Sequence, residues 1–205
     1  MIKIFNKSIP HCDKLFKKYF RPWYLEDNPP LKTRPDFYTI SAYENEPLNM
    51  EEVQYLDQKT MEFVLDIFHK MRSAYKQDFQ IHAEFGVINI DVIEKFDDFY
   101  TKAIIRDLIN KSAPKKFDNP YLVTVCELGL ALGDLFVNTT KFRWLYSFPY
   151  FHSIVVNPQT GIGITVFDWA LKRLSSYGMN DRLKGKYDIT IEIIDDKIKT
   201  LTDKI

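Results

Sequence analysis

Cysteine is nearly missing from this chain: its 205 residues include only Cys12 and Cys126. Two thiols give no disulfide framework, and Cys126 lies among helical apolar residues where a plain thiol packs well, so a reducing compartment is expected. Histidine is scarce too. His11, His69, His82 and His152 offer no i, i+4 pair of the kind that binds a metal on one helix face. His82-Ala83-Glu84 could put two ligands on one side of a strand, but nothing signals a third, and the reading is no metal site. Phosphate loops are absent: Gly161-x-Gly163 meets Val166 where a third glycine would stand, and no Walker-type Gly-Lys-Ser/Thr occurs. No cofactor is therefore expected, and no Gly-x-Ser-x-Gly elbow is present. Met1 to Phe5 lacks the apolar core of a secretory signal. The longest apolar stretch, Tyr121 to Val137, carries Glu127 and Asp134 and reads as too short and too charged for a bilayer. A soluble, cytosolic protein is expected, with no membrane partner.

Net charge is also missing, being zero by formal count. The charges are unevenly placed, however. Residues 1–40 hold eight Lys/Arg against four Asp/Glu, residues 41–110 hold seven against fourteen, and residues 111–205 hold thirteen against ten. No basic block advertises nucleic acid, while the middle third offers a candidate acidic surface. A solvated helix face is the plainer explanation of the same pattern.

What the chain has is aromatic side chains, sixteen Phe and twelve Tyr, which argues against disorder. Its length suits one domain. Residues 1–48 read as an irregular arm rich in aromatics and proline, after a short helix His11 to Phe20 with Leu15, Phe16, Tyr19 and Phe20 on its apolar side. Pro22, Pro29, Pro30, Pro35 and Pro47 exclude a long helix there, and Trp23, Tyr24, Phe37 and Tyr38 should pin the arm to the body. Residues 49–118 read as helical. Asn49 with Glu52 forms a capping box, and Val53, Leu56, Thr60, Phe63, Val64, Ile67 and Met71 predict one helix over about 50–75. Its other side shows Glu51, Gln58, Glu62 and Asp66. Residues 78–90 suit a short strand or an extended link. Asp91 with Glu94 repeats the cap, and Val92 to Leu108 predict a second helix ending near Lys111.

Residues 119–205 read as a helix–hairpin–helix core. Asn119-Pro120 caps and opens a helix. Gly129 and Gly133, four apart, predict a face lying close against the sheet or a neighbouring helix, since each glycine costs about 1 kcal/mol relative to alanine. Phe142 to Tyr146 and His152 to Val156 predict adjacent strands, with Gly161 to Ile164 as a third short piece. Thr165 with Asp168 resembles another cap, Lys172 and Arg173 suit the last turn, and Gly178 stops the helix. From Tyr187 to Leu201 the spacing allows helix or strand, and helix is preferred.

Catalytic constellations are thin. Cys126, His152 and Asp134 could form a thiol–imidazole–acid set, but a mid-helix apolar cysteine is poorly placed for activation. Asp97-Asp98 and Asp195-Asp196 are sequence neighbours pointing about 100° apart on a helix, as solvated charges do. Recognition remains. Trp144 to His152 concentrates aromatics near the hairpin connection, so Trp144, Tyr146, Tyr150 and His152 are candidate partner contacts, although burial in the core is the alternative. Glu51, Glu62 and Asp66 form the second candidate surface.

The residues Leu128-Gly129, Leu132-Gly133-Asp134, Trp144, Asn157-Pro158 and Lys172-Arg173-Leu174 follow a pattern that resembles small uncharacterised bacterial proteins. Some of these are encoded beside secreted antibacterial toxins and are thought to act as immunity partners. The resemblance spans about sixty residues and implies an α+β fold without a known activity. The combined expectation is an α+β protein, several helices packed on a small antiparallel sheet. It would serve as a non-enzymatic protein-binding module, in its most concrete form an immunity protein that occludes a toxin. The alternatives are an enzyme with a dispersed site and a subunit that self-associates through the 119–137 helix.

Overall fold

Short polar side chains set most helix starts in this protein. The computed structural model describes residues 8–40, 47–78, 88–116 and 118–203. The proposed 78–90 strand falls largely outside these residues, as does the His82/Glu84 pair. Helix α1, Cys12–Leu15, starts at His11 and runs into a π-helical turn, Phe16–Phe20, that buries Phe16, Tyr19 and Phe20. A 3-10 turn at Arg21–Trp23 leads into the arm.

The arm is held mainly by its backbone rather than by the four aromatic side chains expected to pin it. Strand β1, Phe37–Thr39, joins the sheet, a fourth strand that sequence analysis missed. Tyr24 is buried, but the Phe37 and Tyr38 side chains stay exposed.

The single helix expected over about 50–75 is two. α2, Met50–Val53, is capped by Asn49, and α3, Gln58–Asp78, follows a break at 54–57. Asp57 causes the restart: its Oδ1 accepts from Thr60 N at 3.0 Å and its Oδ2 from the Thr60 hydroxyl at 2.6 Å, satisfying the first turn of the new helix. The next helix is also divided, into α4, Ile90–Phe99, and α5, Lys102–Lys111. Thr101 caps α5, while α4 is capped by Asn89 rather than Asp91.

α6, Pro120–Thr139, opens at Asn119 with proline at its first turn. Its length and composition would allow it to cross a membrane, contrary to the sequence reading, yet 78% of its apolar window is buried inside the fold. Both glycines explain how. A Cβ on Gly129 would lie 2.5 Å from the Phe167 ring and 2.8 Å from Phe167 Cα, and one on Gly133 would collide with the Trp144 ring.

Strands β2, Arg143–Leu145, β3, Ile154–Asn157, and β4, Ile162–Ile164, form an antiparallel sheet of order β1-β4-β3-β2. Asn157 closes the β3–β4 turn by accepting from the amides of Gln159 and Thr160, and Gly161 supplies a positive φ of 65°. Trp144 pairs with Val155, which pairs with Ile164, so this row faces α6 in the main core. Ile154 and Val156, on the other face, meet Leu48, Met50 and Val53. α7, Val166–Arg173, packs on α6, and α8, Leu183–Thr202, shows that the ambiguous tail is helical. The expected α+β class, with helices on a small antiparallel sheet, is what the structure has.

Thr165 stands at the start of α7 but makes no side-chain cap. Its hydroxyl donates to Pro35 O at 2.6 Å instead, its amide to Asp36 O, and the Trp169 indole N–H also donates to Asp36 O at 2.9 Å. These bonds fasten the arm along α7.

Candidate functional site

The thiol, imidazole and acid considered for catalysis are held by three different sets of neighbours. Cys126 is fully buried and receives the Tyr150 phenol at 3.4 Å. Burial pushes its thiol up to about 12, well away from a reactive thiolate. His152 shares a 2.9 Å hydrogen bond with the Tyr24 hydroxyl, and burial, with Arg34 nearby, brings its imidazole down to about 3. Asp134 accepts two bonds from Arg72, one from the Tyr75 hydroxyl at 3.0 Å and one from the Trp144 indole at 3.1 Å. With its acceptor positions taken, that carboxylate orients helices rather than an imidazole.

Acids of the middle third, residues 41–110, pair both across the sequence and along their own helices. Asp97 accepts from Arg173 Nε at 2.9 Å and from the Lys184 amide, while Asp98 holds Arg182 at 2.7 Å. Asp66 pairs with Lys70 and Asp107 with Lys111. Lys172 and Arg173 are therefore more than end-of-helix cations: Lys172 reaches Asp36 and Arg173 reaches Asp97, both from buried positions. Asp168, read as part of a cap, is instead the partner of Arg34, which spans from its carboxylate to the His152 carbonyl. Asp97 is thus internal and matched by Arg173, while Arg72 of the same acidic region is taken up by Asp134.

The structure separates the predicted contact residues. Trp144 and Tyr150 are buried in the core, which takes both out of any contact surface; Tyr146 and His152 are half-buried, and His152 is bonded inward to Tyr24. The aromatic hairpin is therefore largely core. Glu51, Glu62 and Asp66 are exposed, but Asp66 is matched by Lys70, and the helix break puts Glu51 and Glu62 on different helices. Between Tyr121 and Val137 the side chains of the 119–137 segment are buried or half-buried.

An exposed aromatic group does occur at the α2–α3 elbow. Gln54 donates from Nε2 to Tyr146 O and accepts from Tyr146 N, each at 2.9 Å, which fixes the linker to the end of β2. Next to this clamp, Tyr55 is 87% exposed. Phe63, expected on the apolar side of α3, is 52% exposed, and its ring lies 6.2 Å from that of half-buried Phe148. Glu51, Glu52, Asp57 and Glu62 belong to the same segment, with Lys59 as its single cation. The Thr60 hydroxyl and amide hold the Asp57 carboxyl below the usual range, so it is ionised. Sequence reasoning missed Tyr55 because an unbroken helix gave it no special position. The Asp57-x-x-Thr60 spacing was the available signal for a break.

The structure is that of an α+β protein whose α2–α3 linker carries exposed Tyr55 and is tied to β2 through Gln54. Comparison with protein-family models, curated proteins and solved structures finds no match.

Proposed function

We propose that this chain is a protein-binding module whose contact surface is the α2–α3 elbow, and that its partner is a basic protein. The observation that carries the reading is Tyr55, a large side chain 87% exposed on a linker that Gln54 clamps to the sheet. Exposed aromatics on a preorganised backbone bind with little ordering cost, and Tyr is enriched among the residues that dominate interfaces. Glu51, Glu52, Asp57 and Glu62 add a negative field that favours encounter with a cationic surface.

The most concrete form of this reading is an immunity-type inhibitor that occludes a basic toxin, such as a nuclease, in the cytosol. Two features support it: the elbow's charge, and the dispersal of Cys126, His152 and Asp134 among unrelated neighbours. The test is affinity capture of the product of the neighbouring gene by the full chain, alongside Tyr55→Ala. Capture by the wild type and its loss in the variant are expected. Failure to bind in any such pairing would remove the proposal.

A further inference from the structure

We propose that His11, Cys12 and Asp13 form a binding site for one divalent cation of the zinc type, with Thr33 orienting the carboxylate. One ligand atom from each of the three residues falls within 4.8 Å of the others. Cys12 Sγ is 3.6 Å from His11 Nδ1, and His11 Nδ1 is 3.6 Å from Asp13 Oδ2. A tetrahedral centre with bonds of about 2.3 Å to sulfur and about 2.0 Å to nitrogen or oxygen needs ligand atoms roughly 3.3–3.6 Å apart. Two of the three pairs already stand at or near that spacing, and the sulfur–carboxylate pair, 3.9 Å apart at Oδ1, has to close to share one ion.

Three consecutive residues can converge because His11 is not helical. Its φ of −63° and ψ of 150° turn its ring back over the first turn of α1. Asp13 is set by the arm: its Oδ1 accepts from Thr33 N at 3.1 Å and from the Thr33 hydroxyl at 2.8 Å, leaving Oδ2 toward the imidazole. Such outer contacts are the usual support of a ligating carboxylate. A simple capping role for His11 accounts for its long 3.3 Å bond from Asp13 N, which a metal–nitrogen bond would replace. Capping does not account for the thiol, which lies within 4.0 Å of His11, Asp13 and Thr33 together. The other thiol, Cys126, sits in the apolar core against the Tyr150 phenol.

Thiolate, imidazole and carboxylate together select zinc or cobalt over magnesium or calcium. His11 is exposed, so a water can complete the coordination. Binding replaces the Cys12 S–H bond with a sulfur–metal bond and releases that proton to the buffer. The site joins three segments, since Asp13 holds Thr33 of the arm, the His11 ring packs on Tyr177 at 5.4 Å, and Pro10 O accepts from Ser176 N. A bound ion would fasten the arm to the body.

The test uses the tag-free full chain, stripped with a chelator and titrated with cobalt(II), following the thiolate-to-cobalt charge-transfer absorption. One equivalent should bind, zinc should displace it, and millimolar magnesium should not. The band should persist in Cys126→Ser and vanish in Cys12→Ser. His11→Ala, which removes a ligand, should weaken binding by more than the roughly 10–100-fold that loss of an outer contact costs. The exposed His11 keeps the test decisive should a cysteine variant fail to fold. No thiolate band in the wild type, or one of unchanged affinity in His11→Ala, would overturn the site.

Discussion

Arg72 closes on Asp134 with two hydrogen bonds of 2.7 Å, from Nε to Oδ2 and from Nη2 to Oδ1. Tyr75 and Trp144 bond the same carboxylate, so one side chain of α6 ties α3 to β2. Asp134→Ala would leave an arginine, a phenol and an indole without their acceptor. Removing one member of a buried pair of this kind costs about 3–5 kcal/mol. Urea unfolding should show that loss, and a change below about 1 kcal/mol would contradict the arrangement described.

Alanine at either α6 glycine should destabilise the fold despite improving helix propensity. The propensity gain is about 1 kcal/mol. Against it, a Cβ at Gly129 would come within 2.8 Å of Phe167 Cα, where backbone must move, and overpacking typically costs about 1–3 kcal/mol. Gly129→Ala is expected to lower the melting temperature. Gly133→Ala should do the same by displacing the Trp144 ring, with an accompanying shift in tryptophan fluorescence. A raised melting temperature in both would mean that α6 stands off from its neighbours.

Stability should decline as the solution is acidified from near neutrality, and His152 should begin the decline. Its folded imidazole titrates near 3, depressed by burial and by Arg34, whereas an unperturbed histidine titrates near ~6.5. A depressed group stabilises the fold above its unfolded pKa and loses that contribution as pH falls toward the folded value, so the window is about 6.5 down to 3. Asp36 adds its own loss lower down. Burial works against its carboxylate, but bonds from Lys172 and Lys186 outweigh burial and hold it below the usual carboxylate range. Its contribution is present above about pH 4 and lost below. His152→Gln should flatten the stability–pH curve between about 6.5 and 4.5 in urea melts run at several pH values. Parallel curves for the two proteins would show that the imidazole is not kept neutral by the fold.

Local signals in the sequence are legible where the interaction they encode is also local. Asn119 caps α6 three residues on, at Leu122 N, and the Gly129/Gly133 spacing predicts the close approach that the fold makes. The breaks at 54–57 and 100–101 escape notice because Leu56 and Tyr100 preserve helical periodicity across them. Asp57 and Thr101 decide the matter through side-chain capping bonds that a periodicity argument does not weigh. Strand β1 is hidden for the opposite reason: its three residues pair with β4, more than a hundred positions away. Charge is the most misleading signal. Asp97–Arg173 and Arg72–Asp134 join regions of opposite bias, so the regional counts do not describe the surface. At His11 the extended backbone, invisible in composition, turns three neighbours toward one point.

The elbow variants should separate binding from folding. Tyr55 and Phe63 are exposed, so Tyr55→Ala and Phe63→Ala should change stability by no more than about 0.5 kcal/mol. If Tyr55 anchors the partner, its truncation should cost about 2 kcal/mol or more of binding free energy, roughly thirtyfold in Kd by calorimetry. The acidic rim should act differently. Glu51→Lys with Glu62→Lys should slow association more than it speeds dissociation, because rim charges steer encounter. Wild-type association should slow as salt rises from about 0.05 to 0.5 M, where the screening length shrinks below about 10 Å. Surface-binding kinetics would resolve both effects. Association indifferent to salt, together with full affinity in Tyr55→Ala, would place the partner contact away from the elbow.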